Sequence, residues 1–231
     1  MKKKPSFYHN NRKFYNWIIY DISDNFLIKY SKYFKGDLYD LGCGTKPYEV
    51  YLKQFCDSYI GVDWTETLHD FKADIVADLN KNFPINNEVA DTIVSFSVME
   101  HLCEPQIFVN ESFRILKNGG VFVLQVPFMW HVHEEPFDFF RYTEFGLKYM
   151  FEKAGFTNIE IEASTGFWVN WFVKLNYQLI RIMYGNSLKK KLLRVVLKPL
   201  INNNQKLAMY LDRRWPKTDK ETQGYWVIAV K

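Results

Sequence analysis

The 231-residue sequence predicts an α/β fold, a mostly parallel sheet with helices on both faces, and three observations predict it. Short apolar runs alternate with helix-like stretches through the first two thirds of the chain, a glycine-rich turn follows the first run, and aspartates recur where successive runs end. Strands alternating with helices imply parallel pairing through right-handed crossovers.

In chain order, RKFYNWIIYDISDNFLIKYSKYF (12–34) reads as a helix within an N-terminal helical cap, 1–35. DLYDLGCG, SYIGVDW, ADIVADL, ADTIVSFSV and GGVFVLQVP read as five short, mostly buried strands. PQIFVNESFRILKNGG is the clearest helix, with Ile107, Phe108, Glu111, Arg114 and Ile115 at helical spacing and the paired glycines after Asn118 as its stop. TEFGLKYMFEKAGF is a helix capped by Thr143 and ended by Gly155, NIEIEAS alternates as a strand, and GYWVIAVK is the closing strand.

Composition narrows the function classes. Three cysteines, Cys43, Cys56 and Cys103, without framework spacing suit a reducing compartment, and MKKKPSFYHNN has no apolar run behind its charged start, so a cytoplasmic location is expected. The net charge of +4 is uneven: 163–211 hold eight Lys or Arg and no acid, leaving 22 basic against 26 acidic residues elsewhere. That basic stretch interleaves with aliphatics and lacks a binding motif, which argues against nucleic acid as a partner.

A parallel sheet presents its ligand at the carboxyl ends of its strands. The first of those ends is the turn Gly42-Cys43-Gly44, where small residues let backbone N–H groups approach a ligand closely. The third glycine of the dinucleotide fingerprint is missing, which disfavours a pyrophosphate and hence a dehydrogenase. Asp63, about 20 residues on, is placed to accept ribose hydroxyls, and Asp78 to face an adenine amine. A lone aspartate at such a position is ordinarily a turn or cap residue.

YDLGCGTKPY, IGVDW, VADLNKNFPINNEVADTIVSFSVMEHL and LKNGGVFVLQVP, with AGFTNIEI and GYWVIAVK, resemble the class I S-adenosylmethionine-dependent methyltransferases over about 36–162 and 224–231. The resemblance implies a Rossmann-like seven-stranded sheet with an antiparallel last strand and S-adenosylmethionine as cofactor. By it, Asp40 and Gly42, Cys43 and Gly44 face the methionine part and Asp63, followed by Trp64, holds the ribose. Asp78 and Leu79 flank the adenine, and Ser97 lines the cofactor floor.

VPFMWHVHEEPFDFFRYTEFGL (126–147) resembles a subset of these enzymes, many bacterial and associated with surface glycans, in which His, Pro, Asp and Arg follow the fifth strand. The matching positions are His133, Pro136, Asp138 and Arg141. His133 is expected as base or orienting group, Asp138 or Glu134 as the fixer of its tautomer, and Arg141 as a contact to an anionic or polyhydroxylated substrate, with His131 a weaker match. The alternatives are that the histidines pack a loop and that Arg141 and Asp138 form a structural clasp. No metal is expected, since His131, His133, Glu134 and Glu135 are too unspecific a set. Glu100-His101 serves equally well as a helix start or as part of the site.

Between the sixth and seventh strands, 163–223 form a basic helical insertion. In WVNWFVKLNYQLIRIMYG, Trp168, Trp171, Phe172, Leu175, Leu179, Ile182 and Met183 make an apolar stripe; SLKKKLLRVVLKPLI sets Leu188, Leu192, Val195 and Val196 against five cations and ends at Pro199. A substrate lid, a homodimer contact and a peripheral contact with an anionic membrane surface through 168–200 are its three readings. The expected function is methyl transfer to a small or lipid-linked acceptor, a glycan-precursor hydroxyl in polysaccharide biosynthesis. The alternatives are an inactive cofactor-binding partner subunit and a methyltransferase acting on nitrogen, carbon or a macromolecule.

Overall fold

The computed structural model describes residues 4–64, 72–215 and 219–231. The N-terminal three residues of the expected cap and 216–218 of the expected insertion lie outside the described residues.

Among the described residues seven strands form one sheet: β1 (Asp37–Leu41), β2 (Ser58–Asp63), β3 (Ile75–Val76), β4 (Ala90–Phe96), β5 (Leu116–Pro127), β6 (Thr157–Ala163) and β7 (Gly224–Val230). Their order is β3-β2-β1-β4-β5-β7-β6, and β7 alone runs against the rest, antiparallel to both β5 and β6. This is the expected α/β sheet, and the strand order reverses between β1 and β4, which opens a crevice above their carboxyl ends.

Alternation along the strands sends successive side chains to opposite faces. On one face Leu41, Ile93, Phe122, Leu124 and Val227 pack with Phe108, Val109 and Ile115 of α3 (Pro105–Ile115) and Leu147 and Phe151 of α4 (Glu144–Ala154). On the other, Leu38, Val94, Val123 and Trp226 pack against Phe26, Leu27 and Tyr30 of α1 (Trp17–Tyr30) and Leu52 of α2 (Glu49–Leu52). Thr143 caps α4 as its position predicts, accepting the Gly146 N–H at 3.2 Å, and Gly155 ends it in the left-handed region.

The connection before β7 differs in detail from the sequence expectation. α5 (Phe167–Met183) buries Val169, Phe172, Val173 and Asn176, while Trp171 and Ile182 of the expected stripe are exposed. α6 (Leu188–Arg214) runs through Pro199 instead of ending there. Tertiary contacts offset the lost ladder bond: the Gln205 side chain accepts the Ile18 N–H and donates to the Phe14 carbonyl, and Asn204 donates to Asn176 at 2.9 Å. Asp212, near the end of α6, accepts the N–H groups of Gly166 and Trp168 and so caps the first turn of α5.

Candidate functional site

The turn after β1 is built by close approach. Gly42 (φ +79°) and Gly44 (φ +50°) are both left-handed, and a Cβ on Gly42 would lie 2.3 Å from Val98 Cγ2. Asp63, at the end of β2, fixes this turn: its Oδ2 accepts the Gly44 N–H at 2.7 Å and its Oδ1 accepts the Trp64 N–H at 2.8 Å. The Trp64 ring stands edge-on to Phe137. Asp78 Oδ1 accepts the backbone and side-chain N–H of Asn80, and its Oδ2 pairs with Lys81 at 3.0 Å, bonds that hold its carboxyl below the usual range despite partial burial.

Two adjoining cavities open above the strand ends. The first, about 510 Å³, is lined by Gly42, Cys43, Gly44, Asp63, Trp64, Asp78, Leu79 and Ser97, bringing together all of the expected cofactor residues except Asp40. Asp40 lines the second, of about 440 Å³, with His131 and His133. Gly42, Cys43, Ser97 and Glu134 border both, so a ligand in the first can present an atom to a ligand in the second. Asp40 is buried and accepts the Tyr59 hydroxyl at 2.5 Å, and burial pushes its carboxyl up to about 7. Burial raises the Cys43 thiol, which makes it an inert wall.

The loop after β5 is anchored onto the turn after β4. The N–H groups of Phe139 and Phe140 donate to the Glu100 carbonyl, and the Tyr142 hydroxyl donates to that of Met99 at 2.9 Å. These bonds carry His133 to a centroid distance of 4.9 Å from His101. Asp138 Oδ2 accepts the His133 N–H at 2.9 Å and lies 3.3 Å from its Nδ1. Burial and the neighbouring His101 lower the His133 pKa, so its ring is neutral at pH 7.

Arg141 directs all five of its N–H donors into protein: two to Asp138 and one each to the carbonyls of Trp130, His131 and Phe140. Neither Arg141 nor Asp138 is among the residues lining the cavities. This favours the clasp over the expected substrate contact, because a guanidinium so engaged has no donor left to offer.

Sequence reasoning missed most of the second cavity. His9, Asn11, Lys13, Tyr15 and Tyr20 reach it from the N-terminal segment, Ser164 and Gln223 from the ends of the insertion, and Tyr177 from α5. Ser164 Oγ and Gln223 Nε2 are buried without a hydrogen-bond partner among the described residues. Single polar residues far apart in sequence carry no spacing signal, so only the fold assembles them.

Comparison with known proteins agrees with this geometry. Residues 39–124 match the family described as a methyltransferase domain. A Mycolicibacterium smegmatis protein described as a probable S-adenosylmethionine-dependent methyltransferase is 32% identical over 97 residues, 39% of this chain and 38% of that protein. The chain thus spans about two fifths of the length of this curated relative.

Among solved structures, an S-adenosylmethionine-dependent methyltransferase from Archaeoglobus fulgidus aligns at TM-score 0.56 and 18% identity, over 91% of this chain and 94% of that one. Haemonchus contortus phosphoethanolamine N-methyltransferase 2, in complex with S-adenosyl-L-methionine, aligns at 0.57 and 16% identity over 100% and 60%. The [4+2]-cyclase SpnF aligns at 0.59 and 15% identity over 92% and 80%. A cyclase among the neighbours shows that these alignments speak for the fold and not for a reaction. The fold is the Rossmann-like one of these solved methyltransferases, and 39–124 is the part of the chain that matches a methyltransferase domain.

Proposed function

We propose that the protein transfers a methyl group from S-adenosylmethionine to a hydroxyl of a small or lipid-linked polyhydroxylated acceptor such as a glycan precursor. The observation that carries this reading is the pair of adjoining cavities with different linings. The first has the Asp63-anchored turn and the close-packed Gly42 that suit a nucleoside. The second combines the rings of Tyr15, Tyr20, Trp130 and Tyr177 with the buried unpartnered Ser164 Oγ and Gln223 Nε2. Flat apolar faces beside unsatisfied hydrogen-bonding groups suit a ligand rich in hydroxyls.

Gly42, Gly44, Asp63 and Asp78 would hold S-adenosylmethionine in the first cavity, where it would supply an electrophilic methyl carbon with its sulfur as the leaving atom. The chain's own task is then geometric: to hold the acceptor oxygen in line with that carbon, where most of the rate arises. His133, neutral and fixed by the Asp138 clasp, faces the second cavity as base or orienting group. His131 lines the same cavity, against Tyr177.

The first half of α6 supports a lipid-linked acceptor. Leu188, Leu192, Val195 and Val196 are all more than 60% exposed, and Lys189, Lys190, Lys191, Arg194 and Lys198 lie among them. Such a surface suits peripheral contact with anionic lipid at the cytoplasmic side of a membrane, with a second copy of the chain as the competing occupant. No helix among the described residues is long and apolar enough to cross a membrane.

Titration calorimetry with S-adenosylmethionine and S-adenosylhomocysteine, with Asp63→Ala as control, tests the cofactor. Micromolar binding lost in the control supports it; absence of binding to either ligand leaves the partner-subunit reading. Radiolabelled methyl transfer to free and lipid-linked sugars then tests the acceptor, and transfer to amines or protein alone would overturn the hydroxyl assignment.

A further inference from the structure

Glu100 is the one carboxylate among the described residues with both oxygens buried and unpartnered. Its side chain is fully buried at the wall of the second cavity, and neither carboxylate oxygen has a hydrogen-bond partner among the described residues. A buried carboxylate without a partner is costly, and proteins retain such groups where something binds them. One ligand atom from each of Glu100, His101 and His133 can be chosen so that all lie within 4.8 Å of one another.

His101 and His133 stand close together, with ring centroids 4.9 Å apart. His101 Nδ1 is 2.7 Å from the Phe137 carbonyl, so it carries the proton and donates, leaving Nε2 as the lone-pair nitrogen. That Nε2 lies 3.8 Å from both Glu100 Oε1 and Glu134 Oε2. His133 Nδ1 lies 3.3 Å from the Asp138 carboxylate but is buried without a hydrogen-bond partner among the described residues, so it too is a buried polar atom that the fold leaves open. The carbonyl behind the His101 ring is an arrangement that orients histidine toward a cation. Two imidazoles and one carboxylate with open positions suit a first-row divalent ion better than magnesium or calcium.

We propose that Glu100, His101 and His133 bind one divalent transition-metal ion of the manganese, iron or zinc class at the junction of the two cavities, with acceptor hydroxyls completing its coordination. Metal–ligand bonds of about 2.1 Å set neighbouring donors about 3 Å apart, so the trio must close by roughly 1–2 Å. Glu134, which borders both cavities, is near enough to add a fourth donor. The sequence reading considered a different set, His131, His133, Glu134 and Glu135, because contiguous residues were all it could group. The fold keeps His133, leaves Glu134 within reach, and brings in the pair after β4 in place of His131 and Glu135.

This rests on the methyl-transfer reading only for where the acceptor lies, and it makes His133 an orienting group instead of a base. A hydroxyl bound to such an ion loses its proton more readily to solvent, as metal-bound water does. The test uses the protein free of cofactor: calorimetric titration with manganese and zinc salts alone, and the visible absorption of added cobalt. One saturable site in the micromolar range is expected, weakened at least tenfold in Glu100→Gln and in His133→Ala, and unchanged in His131→Ala and Asp63→Ala. No binding below millimolar concentration, or equal binding in all four variants, overturns the proposal; should Glu100→Gln fail to fold, His133→Ala decides it. Metal binding without S-adenosylmethionine binding would sink the methyl-transfer reading alone, and the reverse result would sink the metal site alone.

Discussion

Arg141 grips Asp138 with two parallel hydrogen bonds, Nη1 to Oδ1 at 2.6 Å and Nη2 to Oδ2 at 2.7 Å, and the same Oδ2 accepts the His133 amide at 2.9 Å. The clasp therefore sets the height of His133 above the second cavity without touching a ligand itself. Removing one member of a well-formed, largely buried ion pair strands the other. Arg141→Ala should cost about 3 kcal/mol, roughly 6–12 °C in melting temperature for a chain of this size. Arg141→Lys should recover only part, because an ammonium cannot reproduce the fork. Affinity for S-adenosylmethionine should change less than twofold while acceptor turnover falls. Thermal unfolding and calorimetry check both, and an unchanged melting temperature would show the clasp to be dispensable.

The two glycines of the turn after β1 should fail for different reasons. A Cβ at Gly44 meets nothing within 4 Å, so Gly44→Ala carries only the left-handed backbone strain, about 1 kcal/mol. At Gly42 the same strain adds to a 2.3 Å overlap with Val98, and the total should reach about 3 kcal/mol. Chemical denaturation should rank the variants in that order. Gly42→Ala combined with Val98→Ala should regain stability only if the overlap dominates, and no gain would assign the loss to the backbone.

Asp40 should make cofactor binding depend on pH. Its buried carboxyl, lifted to about 7, feels Asp63 and Glu49 pushing the pKa up and Tyr59 and Lys46 drawing it down. The sign follows from comparison with an unfolded carboxyl near 3.9. The folded group holds its proton longer, so stability of the cofactor-free protein falls as pH rises from about 4 to about 7. The positive charges of S-adenosylmethionine favour the ionised form. If Asp40 faces its methionine part, affinity should rise by up to tenfold per pH unit below 7 and level off above it. Asp40→Asn should flatten the profile between pH 5.5 and 8.5; a flat wild-type profile would remove Asp40 from the cofactor's surroundings.

The sheet was legible because its signals are local. β1, β2 and β4 are apolar runs that end in turn residues, and Thr143 and Gly155 mark both ends of α4 within a dozen residues. The first cavity was legible where its residues stand at or just after strand ends, as Gly42, Asp63, Asp78 and Ser97 do, but not where His9, Asn10 and Asn11 reach it from the N-terminal segment. α6 was misjudged at Pro199 because what holds it are contacts to Ile18 and Phe14, more than 180 residues away, which no local rule contains. Ser164, Gln223 and Glu100 gained their meaning only from burial without a partner, a property of the assembled fold.

The first half of α6 should bind anionic vesicles. Its four exposed aliphatics and five cations stand on a helix whose buried residues, Ile201, Asn204, Gln205 and Ala208, all lie beyond Pro199, so changes before it leave the packed half intact. Each cation near an anionic surface contributes about 1 kcal/mol, screened within a Debye length of about 8 Å at physiological salt. Lys189→Glu with Lys190→Glu and Lys191→Glu should therefore abolish co-sedimentation with phosphatidylglycerol vesicles, and Leu192→Asp with Val196→Asp should weaken it with little change in melting temperature. Binding should fall steeply between 50 and 500 mM salt and be absent with phosphatidylcholine alone. If instead the wild type ignores both vesicles and sediments as a dimer that Val196→Asp splits, the stripe is an interface between copies of the chain, and a lipid-linked acceptor loses its structural support.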